Sequence, residues 1–445
     1  MVDLNYLIYE LPNDVRKAKE VGDFQLVRSL IQQYLDEDTP DFLKQRLQLE
    51  LEIIERLEDD YHLDEESMLA CIQEEIPDFT LNELQKWRLN HGMLWGYRNG
   101  KIHLQDASFE SLKKTYPQIQ ARLTHKLPVN NEKEEVMHDM KKHGSVKYHI
   151  HVRQQLHIHD DAFQKENVLV HMPLITTDPC ISNIEIHQVS EHASIDEENS
   201  ARSVVYQEKM LENHDFITDF SYDIQARYIN VNPKIVRELC YENDIEEQYP
   251  HIRFTEDIKV LAKYLIGNET NPAIITKKFY RYCAVDVKYA YMPDYFTISN
   301  IPMFALNQRV GDCGVKTLLF ITLCRYAGIP ARWQSGWYVG EQTAGAHDWA
   351  KIYMEPYGWI YVDCAYGGFA YTEGNEELYE FYFGNIDPFR MIANQEFQKE
   401  LSVPKKYRYN DHYDHQDGEV EFESKGLTSN DFNQVRLVVE RRKLG

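Results

Sequence analysis

Three residues of this 445-residue sequence have the types and the order needed for nucleophilic acyl transfer: Cys313, His347 and Asp363. A thiol attacks a carbonyl as thiolate, so it needs a base to take its proton, and that base needs an acceptor to orient it. Cys313 stands in Gly311-Asp312-Cys313-Gly314. After it, Val315, Leu318, Leu319, Thr322, Leu323 and Tyr326 recur at helical spacing. Gly328 occupies a C-cap position, and Pro330 forbids continuation. The pattern therefore puts Cys313 at a helix N-terminus, where unpaired N–H groups and the macrodipole favour thiolate and can donate to an oxyanion. On this reading Cys313 is partly thiolate near neutral pH and alkylates first among the seven cysteines. Downstream, Ala346-His-Asp-Trp-Ala-Lys-Ile-Tyr-Met and Gly358-Trp-Ile-Tyr-Val-Asp flank Glu355-Pro356-Tyr357-Gly358, a turn signal. This predicts a hairpin with His347 on one strand and Asp363 at the end of its neighbour. Whether both share a face depends on a register that the sequence leaves open.

Other residues invite both chemical and structural readings. Trp333, Trp337, Trp349 and Trp359 could line an acyl-substrate cleft, with Trp349 the substrate candidate. At least half are expected in sheet core. Cys324 falls on the apolar stripe of its helix and reads as packing. Cys364 follows Asp363 and could interfere with Cys313 by oxidation. His149, His151, His157 and His159 alternate, so pairs of imidazoles share a face and could meet a metal. The preferred reading is the polar face of two strands whose other face is Tyr148, Ile150, Leu156 and Ile158. The spacing matches no standard zinc pattern, and no metal site is expected.

The elements that must position these groups fall into blocks. Residues 1–128 carry helical apolar spacing, including a capping box of Thr80 and Glu83. Residues 129–146 are polar without apolar period and read as a linker or exposed helix. Residues 147–250 alternate in short runs, which predicts an antiparallel, sandwich-like β domain. Residues 251–445 read as the α/β catalytic unit, with helices over 254–265 and 271–289, the latter opened by Asn271-Pro272.

The formal net charge of −24 argues against nucleic acid and anionic membranes as partners. The scattered, odd set of cysteines fits a reducing cytoplasm better than a disulfide scaffold. No signal-peptide pattern follows Met1, and no apolar stretch is long enough to span a bilayer. Neither a nucleotide-binding glycine loop nor a dense Asp/Asn calcium loop is present, so no cofactor is expected.

Gly-Asp-Cys-Gly, a helix ending Gly328-Ile-Pro-Ala-Arg, His347-x-Trp349 in a strand and Gly358-Trp-x-x-x-Asp363 closing a hairpin together resemble the transglutaminase-like superfamily. The resemblance covers about residues 254–392, and Tyr382-Phe-Gly-Asn-Ile-Asp-Pro-Phe-Arg-Met-Ile-Ala-Asn is similar to bacterial multidomain members. It implies a papain-like core, Cys313 as nucleophile, His347 as base and then acid, and Asp363 as orienter. It also implies an upstream oxyanion donor, for which Tyr289 is the nearest match; a core aromatic is its plainer reading. Two departures stand out: Asp348 where a small apolar residue is common, and Cys364 where proline is frequent. Asp348 would alter charge preference if it faced the cleft. The implied activity is cysteine-dependent hydrolysis of an amide or peptide bond in a protein or peptide substrate. The alternatives are amine transfer to glutamine, a non-catalytic protein- or glycan-binding scaffold, and cleavage at a glycan-bearing asparagine. The last lacks the zinc-binding cysteine pairs expected for it.

Overall fold

The computed structural model describes residues 2–124, 131–197, 199–237, 241–408 and 413–445. The N-terminal region is mainly helical, with helices at Asn13–Glu20, Phe24–Asp36, Asp41–Asp60, Glu65–Glu75, Leu81–Leu89 and Ser108–Thr115. The Thr80–Glu83 capping box forms as its spacing predicts. Three short strands, Leu63–Asp64, Trp95–Arg98 and Lys101–Leu104, add a small sheet among these helices. Asp41–Asp60 sends Leu49 and Ile53 into the same apolar cluster as Val315, Leu318 and Leu319, so this region is packed onto the core.

The strand-rich part contains β1 (Ser145–Ile158), β2 (Asn167–Pro173), β3 (Ile181–Val189), β4 (Ala193–Ile195), β5 (Ser203–Lys209) and β6 (Asp215–Arg227). The two histidine-bearing runs form one long strand, β1, rather than two. Next come α1 (Cys313–Tyr326) and the strands β7 (Ala331–Val339), β8 (Ala344–Met354), β9 (Gly358–Val362), β10 (Phe383–Gly384) and β11 (Arg390–Asn394). These strands form a sheet of order β10-β9-β8-β7-β11. The chain then returns to the upstream strands. Its last two, β12 (Glu419–Phe422) and β13 (Phe432–Leu444), complete sheets of order β12-β2-β5-β4 and β13-β1-β6-β3. The inner faces of both sheets share one cluster that includes Ile150, Val170, Tyr206, Phe220 and Phe422, and Trp337 and Met391 of the core sheet enter it.

Two boundaries drawn from sequence therefore move. The catalytic unit does not run to residue 445, because β12 and β13 are paired with β2 and β1. The polar stretch after residue 128 is no linker from Glu132 on: Glu132–His143 is a helix that buries Val136, Met137 and Met140. Asn375 donates to Glu134 at 2.6 Å, and Lys141 pairs with Glu377 at 2.7 Å, fixing this helix to the core. Residues 129 and 130 lie outside the described residues. The helix expected over 271–289 stops at Arg281, continues as one π turn over Tyr282–Asp286, and gives way to the strand Lys288–Tyr289.

Candidate active site

Asp312 makes the start of α1. Its carboxylate accepts from the Val315 N–H at 3.0 Å and from the Tyr295 hydroxyl at 2.6 Å. Cys313 is the first helical residue, as the spacing predicts, and Gly328 beyond the helix has φ +73°. Residues 314–324 are all buried, so α1 is a central helix rather than an amphipathic surface one. Gly314 is fixed by crowding: a Cβ there would lie 2.2 Å from the Tyr295 hydroxyl and 2.9 Å from Asp348 Oδ2. Only a residue without a side chain lets these groups close around the nucleophile.

The hairpin forms with Ala350 opposite Val362, and His347 and Asp363 meet. His347 Nε2 lies 2.7 Å from Asp363 Oδ2, with both side chains nearly or fully buried. An ionised carboxylate only accepts, so Nε2 carries the proton and Nδ1 keeps a lone pair. Asp363 is held from three directions. Its other oxygen accepts from the Ala365 and Tyr366 N–H groups at 3.1 and 2.8 Å, and Arg390 Nη1 lies 3.0 Å from Oδ2. The His347 and Arg390 charges keep the Asp363 carboxyl well below its usual range despite burial. Arg390, wholly buried, also binds Asp387 at 2.7 Å and lies 4.9 Å from the Tyr366 ring centre. Tyr366 stacks on His347 at 4.4 Å, and Lys133 of Glu132–His143 reaches to 4.0 Å from the Tyr366 ring centre. Burial lowers the His347 pKa, and Asp363 only partly offsets this.

The thiol itself is set differently from expectation. Cys313 Sγ donates to Asp348 Oδ2 at 3.2 Å. Asp348 is 1 % exposed, and its other oxygen accepts from the Gln416 side-chain amide. Burial first, then the charges of Asp348 and Asp312, push the Cys313 thiol well above its ordinary range. The helix N-terminus therefore does not make Cys313 a resting thiolate. Two carboxylates and desolvation outweigh the macrodipole, whose effect is about 0.3–2 kcal/mol. Burial also raises Asp312, to about 6. The residues after the core sheet shape this side of the site: Trp337 donates to the Gln416 carbonyl at 2.7 Å, Ser335 to the Asp414 carbonyl at 2.5 Å, and Tyr413 stacks on Phe397 at 5.0 Å.

The remaining candidates separate. Tyr289 is buried beside the site: Thr115 donates to its carbonyl at 2.8 Å, and a charge on Cys313 is the largest electrostatic influence on its hydroxyl after burial. Trp349 does not line an open cleft. It is fully buried, its N–H is donated to Gln334 at 2.8 Å, and it lies 5.9 Å under the His347 ring, which it supports. Trp333 and Trp337 are core, and Trp359 is half-buried. Cys364 is buried against the Cys283 thiol, and Cys324 is buried in α1. Cys240 lies outside the described residues. A cleft of about 1030 Å³ is lined by Arg332, Trp333, Glu396 and Phe397 but by none of Cys313, His347 and Asp363. Sequence reasoning missed Arg390 and Gln416. Asp387-Pro-Phe-Arg390 carries a visible Asp/Arg pair three apart, whereas nothing in the sequence links Gln416 to Asp348.

Comparison with known proteins agrees with the core. Residues 259–364 match the sequence model of the transglutaminase-like superfamily, and no curated protein matches the chain. Among solved structures, a "Putative Cysteine Protease" from Cytophaga hutchinsonii is similar at 13 % identity, over 68 % of this chain and 91 % of that one, with a TM-score of 0.42. The periplasmic domain of TgpA from Pseudomonas aeruginosa is similar at 12 % identity, over 57 % of this chain and 97 % of that one, with a TM-score of 0.29. Residues 259–364, which carry Cys313, His347 and Asp363, are thus the part of this chain that is similar to the transglutaminase-like superfamily.

Proposed function

We propose that this protein is a cysteine-dependent amide or peptide hydrolase that works through a thioester on Cys313. The observation that carries the reading is the buried His347–Asp363–Arg390 chain on the strands packed against the Cys313 helix. In a reactive complex the thiol leaves Asp348 and gives its proton to His347 Nδ1, while Asp363 holds the resulting imidazolium. Sulfur attacks the carbonyl, and the oxyanion forms near the first N–H groups of α1, with the Tyr289 hydroxyl as a candidate second donor. His347 then protonates the departing amine, and water resolves the thioester. The substrate on this reading is a protein or peptide, and no cofactor is invoked. The six described cysteines are free thiols, which supports a reducing compartment such as the cytoplasm. Among the described residues no helix is long and apolar enough to cross a membrane.

The same acylation step serves amine transfer, so the acceptor is the point to test. A peptide-amide library is supplied with excess cadaverine, and acid and amine-adduct products are quantified by mass spectrometry. Acid as the main product supports hydrolysis. Adduct beyond the share given by simple amine nucleophilicity makes the enzyme a transferase. A Cys313→Ala variant that retains full turnover removes the mechanism altogether.

A further inference from the structure

The outer face of the sheet β13-β1-β6-β3 carries a ladder of imidazoles and carboxylates. His149 meets Asp223 at 2.8 Å and His157 meets Asp215 at 2.7 Å, each across the β1–β6 pair. Each of these carboxylates meets one imidazole, and its other oxygen is taken by neighbours, Lys147 and Asn183 on Asp223 and Gln155 on Asp215. At the centre of the face the arrangement changes. His151 contacts Asp219 Oδ1, and a second imidazole, His187 from β3, lies with its ring centre 4.6 Å from that of His151. One ligand atom from each of His151, His187 and Asp219 lies within 4.8 Å of the others.

We propose that His151, His187 and Asp219 bind a divalent cation of the zinc class on this face, away from Cys313. Three features of the backbone and the surrounding side chains support it. First, the register of β3 against β6 slips between Ile186 and Gln188, so His187 sits in an irregularity of the strand. Such irregularities re-aim a side chain and accompany sites. Here the side chain is aimed across Ser221, whose hydroxyl is 2.8 Å from His187 Nε2. Second, the ligand types fit. Two imidazoles and one carboxylate with an open fourth position are a zinc set, and imidazole also suits nickel and copper. Tetrahedral bonds of about 2 Å place ligand atoms about 3.3 Å apart, so the widest separation closes by about 1.5 Å at most, while His151 and Asp219, already in contact, move slightly apart. His187 is exposed, and the movement exchanges its contact with the Ser221 hydroxyl for the metal. Third, the carboxylate is already oriented. Asp219 is buried, and Arg153 donates to its Oδ2 at 2.6 Å, which leaves Oδ1 turned toward the imidazoles. Metal-bound carboxylates are held this way by outer groups. The cationic Arg153 opposes a dication, while Asp219, Asp223 and Glu440 favour one. A metal here would tie β1, β6 and β3 together at the centre of the sheet.

The test uses the full chain after chelator treatment and dialysis. Zinc chloride is titrated by calorimetry into the wild type, His187→Ala and Cys313→Ala. The expected result is one bound equivalent in the wild type and in Cys313→Ala, with affinity at least about ten-fold weaker in His187→Ala. Wild-type protein loaded with Co(II) should show visible bands of a nitrogen–oxygen site without a thiolate charge-transfer band. The proposal is overturned if the wild type binds no zinc, if His187→Ala binds as tightly as the wild type, or if only Cys313→Ala loses binding. The cobalt spectrum decides the matter on the wild type even if a variant folds poorly; a thiolate band would overturn it.

Discussion

Replacing Asp348 with asparagine should turn Cys313 from a resting thiol into a group that ionises much closer to neutral pH. The contact is 3.2 Å long. Two unit charges at that separation repel by about 1.3 kcal/mol in a water-like dielectric and by about 5 kcal/mol at the effective protein dielectric of about 20. At about 1.4 kcal/mol per factor of ten, that repulsion suppresses the thiolate population by about ten-fold to several thousand-fold. Asparagine keeps the shape. With its carbonyl on Gln416, its amide N–H points at sulfur and stabilises the thiolate further. Each gain of about ten-fold in thiolate fraction lowers its intrinsic nucleophilicity about three-fold. Asp348→Asn should therefore alkylate at Cys313 about three-fold to about one hundred-fold faster near neutral pH. The assay is iodoacetamide labelling across a pH series, with Cys313 resolved from the other cysteines by peptide mass spectrometry. An inflection for Cys313 that stays in place or moves upward in the variant would refute the reasoning, because it would mean that burial alone sets the thiol.

Asp363→Asn should leave Cys313 alkylable while turnover falls by about four orders of magnitude, because the imidazole loses the acceptor that selects its tautomer; a kcat within ten-fold of wild type would remove Asp363 from the site. Arg390→Met should destabilise the fold by about 3–5 kcal/mol, since Asp363 and Asp387 would lose a buried partner; urea unfolding within 1 kcal/mol of wild type (an order-of-magnitude threshold) would count against that role. The acidic limb of kcat/KM should lie below 6.5, the ordinary value for histidine, because His347 must be unprotonated to act and burial lowers its pKa. Activity is then lost only as pH falls through that lowered value, and a limb at 7 or above would contradict it.

The sequence was most informative where local chemistry is self-contained. Asp312, Cys313, Gly328 and Pro330 mark both ends of one helix, and these signals act within a few residues. The hairpin followed from alternation plus one turn, whereas the meeting of His347 and Asp363 rests on the register that sets Ala350 opposite Val362. What alternation could not supply was the partner of each face. Asp348 directly follows His347, and which of the two side chains the resting thiol meets is a tertiary fact; the structure gives the thiol to Asp348. Lys133 and Val136 were hidden for another reason. Glu132–His143 has few apolar residues among many charges, and only docking on the core reveals which side is inside. Residues 419–444 read as part of the unit 251–445 because the partners of β12 and β13 lie far earlier in the chain. His187 went unnoticed because the slip in β3 that aims it is a feature of pairing, not of composition.

The return of the chain to its own earlier sheets bears on biosynthesis. β13 pairs along nearly the whole of β1, and the Val438 N–H also donates to the Gln342 carbonyl at 2.8 Å, beside the turn that leads into the His347 strand. During translation Cys313, His347 and Asp363 all emerge before Gln416, β12 and β13. A nascent chain that already holds the triad thus still exposes the inner faces of two unfinished sheets and lacks the amide that binds Asp348. Premature termination after the core would release polypeptides with a complete set of reactive residues but no finished scaffold. Quality control in the cell would meet such products as aggregation-prone fragments rather than as unregulated enzymes.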